Sequence, residues 1–348
     1  MVISIKMTNK TLTSPVLQAW VSSLFRAQGL LPQFADHTAL QLVQTSLWGI
    51  DSHGIARVPH YLNRLSHKSI LPNPILTFEE TGSATGNVDG GHGLGLVVCK
   101  FAMDQAIALA SRSGAGIVGV RNSSHCGAIG LYSRQAAAKG MIGISFTHSD
   151  SFVVPYGGKD PFFGTNPLSL AVPTQDPHRP LCVDMATSIT TLNRIMNARR
   201  ENSLIPEGLG VDQRGNDTTD PHSVTALKPM AGPKGYALAF LIDMLCGPLN
   251  GMPFGPHINK MYTELEHHRE LGSLVIAIDP TRFFGGANFA AMVVLAMKEV
   301  KSQSASVLYP SEPEYISEAK RLNEGIPIEP GLWKELTEWS TKLAVAIP

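Results

Sequence analysis

A histidine in a short polar loop is the first residue of this sequence that is placed to do acid–base chemistry. His125 follows a predicted buried strand at 116–120 and precedes a predicted helix at 128–139. Imidazole exchanges protons near neutral pH, and the N-terminus of a helix favours a bound carboxylate. The position therefore suits a general acid or base that exchanges a proton with a bound hydroxyl or carbonyl group. The chain holds 12 histidines, so the pattern is also met by an ordinary loop residue.

A second set of candidates is spaced by four residues. His53, Arg57 and Tyr61 lie around the start of a predicted short helix that has Pro59 in its first turn, and Arg57 and Tyr61 would share one helix face. A guanidinium can bind a carboxylate through two parallel hydrogen bonds. From spacing alone, a surface cation on an amphipathic helix is the commoner interpretation of Arg57.

The usual phosphate-binding loops are missing from the sequence. The glycines at 91–95 do not fit GxGxxG, and those at 232–235 do not fit a P-loop, which argues against a standard Rossmann site. Two polar turns at strand ends, GTNP (164–167) and DMATS (184–188), could instead offer backbone N–H groups and hydroxyls to phosphate or ribose. Turn chemistry by itself would also explain them.

Cysteine and histidine spacing predicts neither disulfides nor a metal site. Cys99, Cys126, Cys182 and Cys246 stand singly in apolar surroundings, which indicates reduced, mostly buried thiols. The His267-His268 pair lacks the spacing of metal ligands and is interpreted as solvated helix surface. No metal is therefore expected.

Composition limits the class of protein and its partners. The 348 residues are enough for one large or two modest globular units. The 28 Lys plus Arg balance 28 Asp plus Glu, with no basic run, which argues against nucleic acid as a partner. The longest apolar stretch, 236–245, is about half of the ~20 residues needed to cross a bilayer, and the start of the chain lacks the features of a signal peptide. These observations predict a cytoplasmic protein without a membrane partner, and the low charged fraction of 16% favours an oligomer.

Hydrophobic periodicity predicts alternating helices and strands. A helix opens at Ser14, another covers about 35–49, and the polar loop DSHG follows at 51–54. A βαβ unit with parallel strands should place the loops 121–127 and 147–150 at one sheet edge, where ligands gather in such folds. The remaining predicted helices are 96–113, 128–139, 235–245 and 287–300, and the predicted strands are 116–120, 141–146, 168–172, 181–183 and 274–278.

Six segments in order carry a resemblance to a known family. They are DSHGIARVPHYLNRL (51–65), NSSHCGAIG (122–130), FGTNPLSLAVP (163–173), VDMATS (183–188), GPKGYALAFLIDMLCG (232–247) and the tail YPSEPE (309–314). Together they resemble the malate/L-lactate dehydrogenase family that is separate from the Rossmann-type lactate and malate enzymes. The resemblance spans nearly the whole chain.

This resemblance implies an α/β fold with a family-specific, non-Rossmann NAD(P)-binding region, a mixed sheet, and helical N- and C-terminal regions. Residues 1–120 with 302–348 would form a substrate and dimerisation region, and residues 121–301 the nicotinamide-dinucleotide-binding region. The implied protein is a homodimer, or a higher homo-oligomer, that transfers hydride between NAD or NADP and a 2-hydroxy acid, with active sites near the subunit interface.

Residue roles follow from the matching motifs. His125 would be the catalytic acid/base, and His53 is the alternative for that role. Ser52, His53, Arg57 and Tyr61 would shape the substrate pocket, with Arg57 holding the carboxylate. At 191–194 this chain has TLNR where family members often have a small residue followed by Gly-Lys. The residues implied to contact the dinucleotide are Gly164, Thr165, Asn166, Asp184, Met185, Ala186, Thr187 and Lys234.

Within the family, four segments resemble the ureidoglycolate dehydrogenases: HCGAIG (125–130), SDSFVVPYGG (149–158), residues 203–221 and AGPKGY (231–236). The leading hypothesis is therefore oxidation of ureidoglycolate to oxalurate with NAD, with NADP as the alternative cofactor. Ser149 and Asp150 would bind the substrate, because an ionised carboxylate can accept the ureido N–H groups. Malate, lactate, sulfolactate, a keto-sugar acid or a cyclic imine carboxylate are alternative substrates. A catalytically silent cofactor-binding protein is the alternative from another class.

Overall fold

The structure is a computed structural model that describes residues 10–348. The expectation about a signal peptide concerns mainly residues 1–9 and lies outside the described residues. Within the described range there are ten α-helices, and short 3₁₀ turns join several of them. The helices are α1 (Ser14–Ala27), α2 (Pro32–Leu47), α3 (Val58–Ser66), α4 (Gly95–Ser113), α5 (Gly130–Ala137), α6 (Leu192–Glu201), α7 (Pro233–Cys246), α8 (Phe289–Ser302), α9 (Glu312–Glu324) and α10 (Pro330–Lys342).

Eleven strands between residues 10 and 348 form one large sheet and two small ones. The large sheet has seven strands, and the small sheets are two-stranded pairs. The strands are β1 (Lys10–Leu12), β2 (Thr77–Gly82), β3 (Thr85–Asp89), β4 (Ala115–Ser123), β5 (Ile142–Thr147), β6 (Leu168–Val172), β7 (Leu181–Met185), β8 (Gly210–Val211), β9 (Ala226–Leu227), β10 (Leu271–Ile278) and β11 (Ile326–Ile328).

The large sheet is mixed, as the family resemblance implied. Its strand order is β2-β3-β4-β10-β5-β6-β7, in which only the β3–β4 pair is parallel. Strand β10 lies between β4 and β5 and is antiparallel to both, so β4 and β5 run in the same direction. The prediction of parallel strands at 116–120 and 141–146 is confirmed, but the two are not neighbours. The loops that follow them leave the sheet at the same edge, and that edge carries the site.

The core explains why these segments fold as they do. The apolar face of α1 is buried, including Leu17, Val21, Leu24 and Phe25. This face belongs to one hydrophobic cluster that also contains residues of helices α2, α3, α4 and α10 and of strand β11. A second, smaller cluster lies around Val153 and packs against α6 and α7. Burial of these faces supplies the main driving force for folding and fixes the loops between them.

Most predicted elements are present, with ends displaced by one to three residues. The helix expected at 35–49 begins at Pro32, where proline occupies the first turn, and the helix expected near Arg57 begins at Val58. The segment 82–95, which is rich in glycine, contains the short strand β3. Helix α6 had no counterpart among the predictions, because Leu192–Glu201 is strongly polar; its local start signal is Thr191, whose hydroxyl accepts the N–H of Arg194 at 3.3 Å.

The four cysteines are unpaired and buried, as predicted. Between residues 10 and 348, no helix combines the length and apolar character required to cross a membrane.

Candidate active site

One cavity collects the candidate residues from distant parts of the chain. Its volume is about 330 Å³, and it lies where the turn after α2, the loop after β4 and the loop after β5 meet. The residues that line it are Ile50, Ser52, His53, Arg57, His125, Gly127, Ala128, Ile129, Ser149, Phe152, Thr165, Pro167, Asp184, Met185, Ala186, Thr191, Leu192, Asn193, Met261, Tyr262 and Glu314.

His125 is fixed by contacts to one of its ring nitrogens. The Tyr61 hydroxyl lies 2.6 Å from His125 Nδ1, and the backbone nitrogen of Gly127 lies 3.3 Å from the same atom. The ring of His53 stacks on that of His125, with centroids 5.7 Å apart and an interplanar angle of 27°. Within the described chain, Nε2 of His125 has no protein partner. The ring is therefore held from one side and leaves Nε2 for a ligand in the cavity.

The electrostatic surroundings keep both histidines neutral. Burial, followed by the positive charge of Arg57, places the pKa of His125 well below its usual value of 6.5. The same two causes lower the pKa of His53 to about 3. Because a buried cationic imidazole beside a guanidinium is disfavoured, the resting site holds neutral rings at pH 7. A neutral imidazole is the form required of a general base.

Arg57 is the cation of the cavity. Its Nε donates to the carbonyl oxygen of Ser52 at 2.6 Å, and its Nη1 donates to the hydroxyl of Tyr262 at 2.8 Å. Among the described residues, Nη2 has no protein partner. The edge of the guanidinium formed by Nη1 and Nη2 is therefore available for a carboxylate, which Arg can bind through two parallel hydrogen bonds.

The turn that carries Ser52 and His53 is held from the C-terminal part of the chain. Arg321 of α9 forms an ion pair with Asp51, and its Nη1 also donates to the carbonyl oxygen of Ser46 at 2.5 Å. The Ser52 hydroxyl lies 2.9 Å from His53 Nδ1. Helix α9 thus positions the His53 turn and also contributes Glu314 to the cavity lining.

Another part of the cavity lining could receive the nicotinamide end of a dinucleotide. Thr165, Pro167, Met185 and Ala186 form a surface of small and apolar groups. Backbone approach is close here, because a Cβ added to Gly164 would lie 2.3 Å from the Ser149 hydroxyl oxygen. A flat ring can lie against such a wall, with Ser149 and Thr165 as neighbouring polar groups. These residues could hold a nicotinamide ring, which would accept the hydride.

Several predicted site residues do not line the cavity. Tyr61 is fully buried behind His125. Asn166 is buried and donates to the carbonyl oxygen of Ala239 at 3.0 Å, and the Thr187 hydroxyl donates to the carbonyl oxygen of Thr165 at 3.0 Å. These two side chains hold the GTNP and DMATS turns in place. Lys234 is exposed in the first turn of α7.

The interpretation of Asp150 as the acceptor for a ureido group is wrong. The side chain is buried, and its Oδ1 accepts from Arg269 Nη2 at 2.5 Å in an ion pair. Its Oδ2 accepts the N–H of Met261 at 3.0 Å. Because both oxygens are used within the protein, Asp150 positions the segment that contains Met261 and does not contact the cavity.

No group of three or more His, Cys, Asp or Glu side chains within residues 10–348 is arranged to bind a metal ion. The placement of His267 and His268 on a helix surface is wrong, because both lie in an irregular segment. His268 is partly buried, stacks on His92 with ring centroids 3.9 Å apart, and has its Nδ1 3.0 Å from the carbonyl oxygen of Ser69.

Among the lining residues that were not predicted from the sequence, three come from segments far from the predicted motifs of the site. Met261 and Tyr262 come from an irregular segment before β10, and Glu314 from α9. Tyr262 contacts Arg57 across 205 positions of sequence. The segment that contains Met261 and Tyr262 carries no motif that could have indicated this contact. Glu314 lies in the tail motif YPSEPE, which was noted for resemblance without a role.

The departure at 191–194 lies next to the cavity. Asn193 and Thr191 line both the main cavity and an adjoining one of about 480 Å³. Arg194 lines only the adjoining cavity. The residues that replace the family's Gly-Lys therefore lie at the boundary between the two cavities.

Comparison with known proteins identifies the family to which this chain belongs. The profile of the malate/L-lactate dehydrogenase family matches residues 12–337. The chain is 38% identical over 313 residues to a ureidoglycolate dehydrogenase (NAD(+)) of Escherichia coli K12, covering 88% of this chain and 89% of that protein. It is 36% identical over 329 residues to a malate/(S)-sulfolactate dehydrogenase of Methanothermus fervidus, covering 94% and 96%. The solved structure of the sulfolactate dehydrogenase from Methanocaldococcus jannaschii is similar with a TM-score of 0.90 and 34% identity, covering 97% of this chain and 98% of that one.

Proposed function

We propose that this chain, which belongs to the malate/L-lactate dehydrogenase family and is a 2-hydroxy acid dehydrogenase, oxidises ureidoglycolate to oxalurate with NAD. The observation that carries the proposal is the pairing of a neutral His125 with a single cavity cation, Arg57, in one cavity. This pairing suits a substrate with one carboxylate and one hydroxyl on the adjacent carbon.

The chain's own residues account for binding and proton transfer. Arg57 binds the substrate carboxylate through Nη1 and Nη2, and the hydroxyl at C2 then faces His125. Base action at Nε2 requires the tautomer in which Nδ1 carries the ring proton and donates it to the Tyr61 hydroxyl at 2.6 Å, since that hydroxyl can donate or accept. In this tautomer the longer 3.3 Å contact of the Gly127 N–H with Nδ1 is no longer a hydrogen bond. Nε2 of His125 takes the hydroxyl proton as the C2–O bond becomes a carbonyl, and a nicotinamide held by Thr165, Met185 and Ala186 would accept the hydride that leaves C2. In the reverse direction the imidazolium returns the proton to the carbonyl oxygen.

Charge around the cavity supports a substrate with only one negative group. Arg57 is the only Lys or Arg among the described lining residues, and the ionisable acids there are Asp184 and Glu314. Malate and sulfolactate carry a second anion, which would lack a cationic partner and meet the two carboxylates. Ureidoglycolate carries a neutral ureido group in that position. Like charges without a partner are a recognised means of rejecting a competing ligand.

We expect kcat/KM for ureidoglycolate with NAD to exceed that for malate and sulfolactate by at least about 10-fold, a difference of about 1.4 kcal/mol. The measurement is steady-state NADH formation with each acid, repeated with NADP. The β-amide of malate provides the matched control, because it differs from malate mainly in lacking the second charge, and it should be the better substrate of the two. A preference for malate over both neutral compounds would contradict the proposed substrate.

NAD, the compartment and the division of the chain belong to the same proposal. NAD is supported by the E. coli relative, whose name specifies that cofactor. A cytoplasmic location is supported by the four unpaired cysteines. Residues 121–301 would form the nicotinamide-dinucleotide-binding region, and residues 1–120 with 302–348 the substrate and dimerisation region. The contacts of Arg321 with the turn after α2 support the link between the terminal segments.

We also propose that the chain forms a homodimer or a higher homo-oligomer. Helix α8 has the sequence FAAMVVLAMKEVKS, yet none of its residues is buried within one chain. Met292 is 55% exposed and Leu295 is 44% exposed, and Phe283 just before the helix is 63% exposed. An apolar helix of this kind is stabilised when a second copy covers it.

Leu295→Glu should convert the oligomer into a species with the mass of one chain, because a buried unpaired carboxylate disfavours association. Light scattering after gel filtration measures the mass of both proteins. Lys334→Glu, an exposed change on α10, is the matched control and should leave the mass unchanged. An oligomer of unchanged mass in Leu295→Glu would show that α8 is not the interface.

A further inference from the structure

Tyr262 touches the cavity cation from a segment far away in the sequence. We propose that Tyr262 is a positioning residue that orients Arg57 for the substrate carboxylate. The proposal rests on the proposed role of Arg57 as the carboxylate anchor. It depends on three observations: the contacts that hold the guanidinium of Arg57, the contacts that hold the segment of Tyr262, and the guanidinium donors that remain for a substrate carboxylate.

The Arg57 guanidinium is held at two of its three nitrogens. The carbonyl oxygen of Ser52 accepts from Nε, and the hydroxyl of Tyr262 accepts from Nη1. A guanidinium has five N–H donors in one plane. The Ser52 contact uses the Nε donor, which excludes the side-on mode of binding through Nε and Nη2. The pair Nη1 and Nη2 remains for an end-on carboxylate, and Tyr262 sets the rotation of that pair.

The backbone that carries Tyr262 is held by buried charges. Arg64 of α3 has no exposed surface, and its Nη2 donates to the carbonyl oxygens of Lys260 at 2.9 Å and Met261 at 2.7 Å. Its Nη1 donates to the carbonyl oxygen of His267 at 3.1 Å. Hydrogen bonds from a charged donor to buried carbonyls are the stronger kind, and leaving such carbonyls unpaired is unfavourable.

A second buried charge holds the same peptide from the other side. The Asp150 carboxylate accepts the N–H of Met261 and is itself paired with Arg269. The residue before Tyr262 is therefore fixed through both its N–H and its carbonyl oxygen, by side chains from two different elements. The Tyr262 ring also packs edge-on against His60 of α3, with centroids 5.5 Å apart.

Helix α3 links these contacts to the anchor itself. Arg57 immediately precedes α3, and His60 and Arg64 lie within the helix. The helix and the 260–269 segment thus hold each other in place. Arg64 binds the backbone of the segment, and Tyr262 of the segment binds Arg57 at the start of the helix. Since Tyr262 is 47% exposed, the residue acts on Arg57 through this hydrogen bond and contributes little to core packing.

The test is Tyr262→Phe, which removes the hydroxyl and keeps the ring. Kinetics are measured with the 2-hydroxy acid that the parent oxidises with the highest kcat/KM, whichever acid that is. We expect KM for the acid to rise roughly 5- to 30-fold, the worth of a hydrogen bond to a charged group, while kcat stays within about twofold. Tyr309→Phe removes a tyrosine hydroxyl away from the cavity and should leave both constants unchanged.

A double-mutant cycle separates positioning from a general structural role. In the Arg57→Lys background, Tyr262→Phe should change KM by less than about twofold, because the group that it orients is gone. A KM within twofold of the parent in the single variant, or equal effects of Tyr262→Phe in both backgrounds, would overturn the proposal. If ureidoglycolate is not turned over while another acid gives the expected cycle, the proposed substrate fails and the role of Tyr262 stands.

Discussion

His125→Ala is expected to lower kcat for oxidation of the 2-hydroxy acid by about 10²- to 10⁴-fold, the usual contribution of a general acid or base. His125 is the cavity residue with a free Nε2, a ring fixed by Tyr61, and a pKa well below 6.5. Binding of the dinucleotide, followed by quenching of protein fluorescence or by NADH fluorescence, should stay nearly unchanged. The loss then lies in proton transfer and not in assembly of the site.

His53→Ala is the matched comparison, because His53 stacks on the same ring and lines the same cavity. We expect the smaller loss from His53→Ala, since this histidine acts on the packing of its neighbour. A turnover of His125→Ala close to that of the parent, together with a large loss in His53→Ala, would transfer the proton-transfer role to His53.

Arg57→Lys is expected to raise KM for the acid by about 10- to 100-fold, although the charge is retained. An ammonium group cannot reproduce the two parallel donors Nη1 and Nη2. Lysine also lacks the guanidinium nitrogens that donate to the Ser52 carbonyl oxygen and the Tyr262 hydroxyl. The measurement is the dependence of initial rate on acid concentration at saturating cofactor.

The control for this substitution is Arg26→Lys, which makes the same chemical change at an exposed ion pair with Asp36. Its KM should equal that of the parent. An Arg57→Lys variant with the parent's KM for every carboxylate tested would mean that another group holds the substrate.

Local sequence signals predicted the parts of the site that depend on neighbouring residues. Hydrophobic runs and glycines predict the strand at 116–120, its following loop and the next helix, so the sequence alone places His125 at a sheet edge. The polar turn DSHG and the proline in the first turn of α3 located His53 and Arg57 in the same way. Their roles required the family resemblance, because spacing alone left Arg57 as a surface cation.

Contacts between distant segments could not be predicted from local patterns. Asp150 was assigned to the substrate because its loop position was correct, but the pairing with Arg269 depends on a partner 119 positions away. The same holds for Arg57 and Tyr262, and for β10, which lies between β4 and β5 although it follows them by more than a hundred residues. Such partners are chosen by the packing of the whole chain.

The most direct test of the central claim is the pH dependence of kcat/KM for oxidation, which reports the ionisation of groups in the free enzyme. The claim is that a neutral His125 removes the hydroxyl proton. A protonated imidazole cannot act as a base, so kcat/KM falls as the pH drops through the pKa of His125. Burial, together with the charge of Arg57, lowers that pKa, and the fall in kcat/KM therefore moves to lower pH. We expect kcat/KM to remain constant as the pH falls from 8 to 6.5 and to decline only well below 6.5, and His125→Gln to lack this decline. A decline centred at or above pH 6.5, or one that persists unchanged in His125→Gln, would contradict the claim.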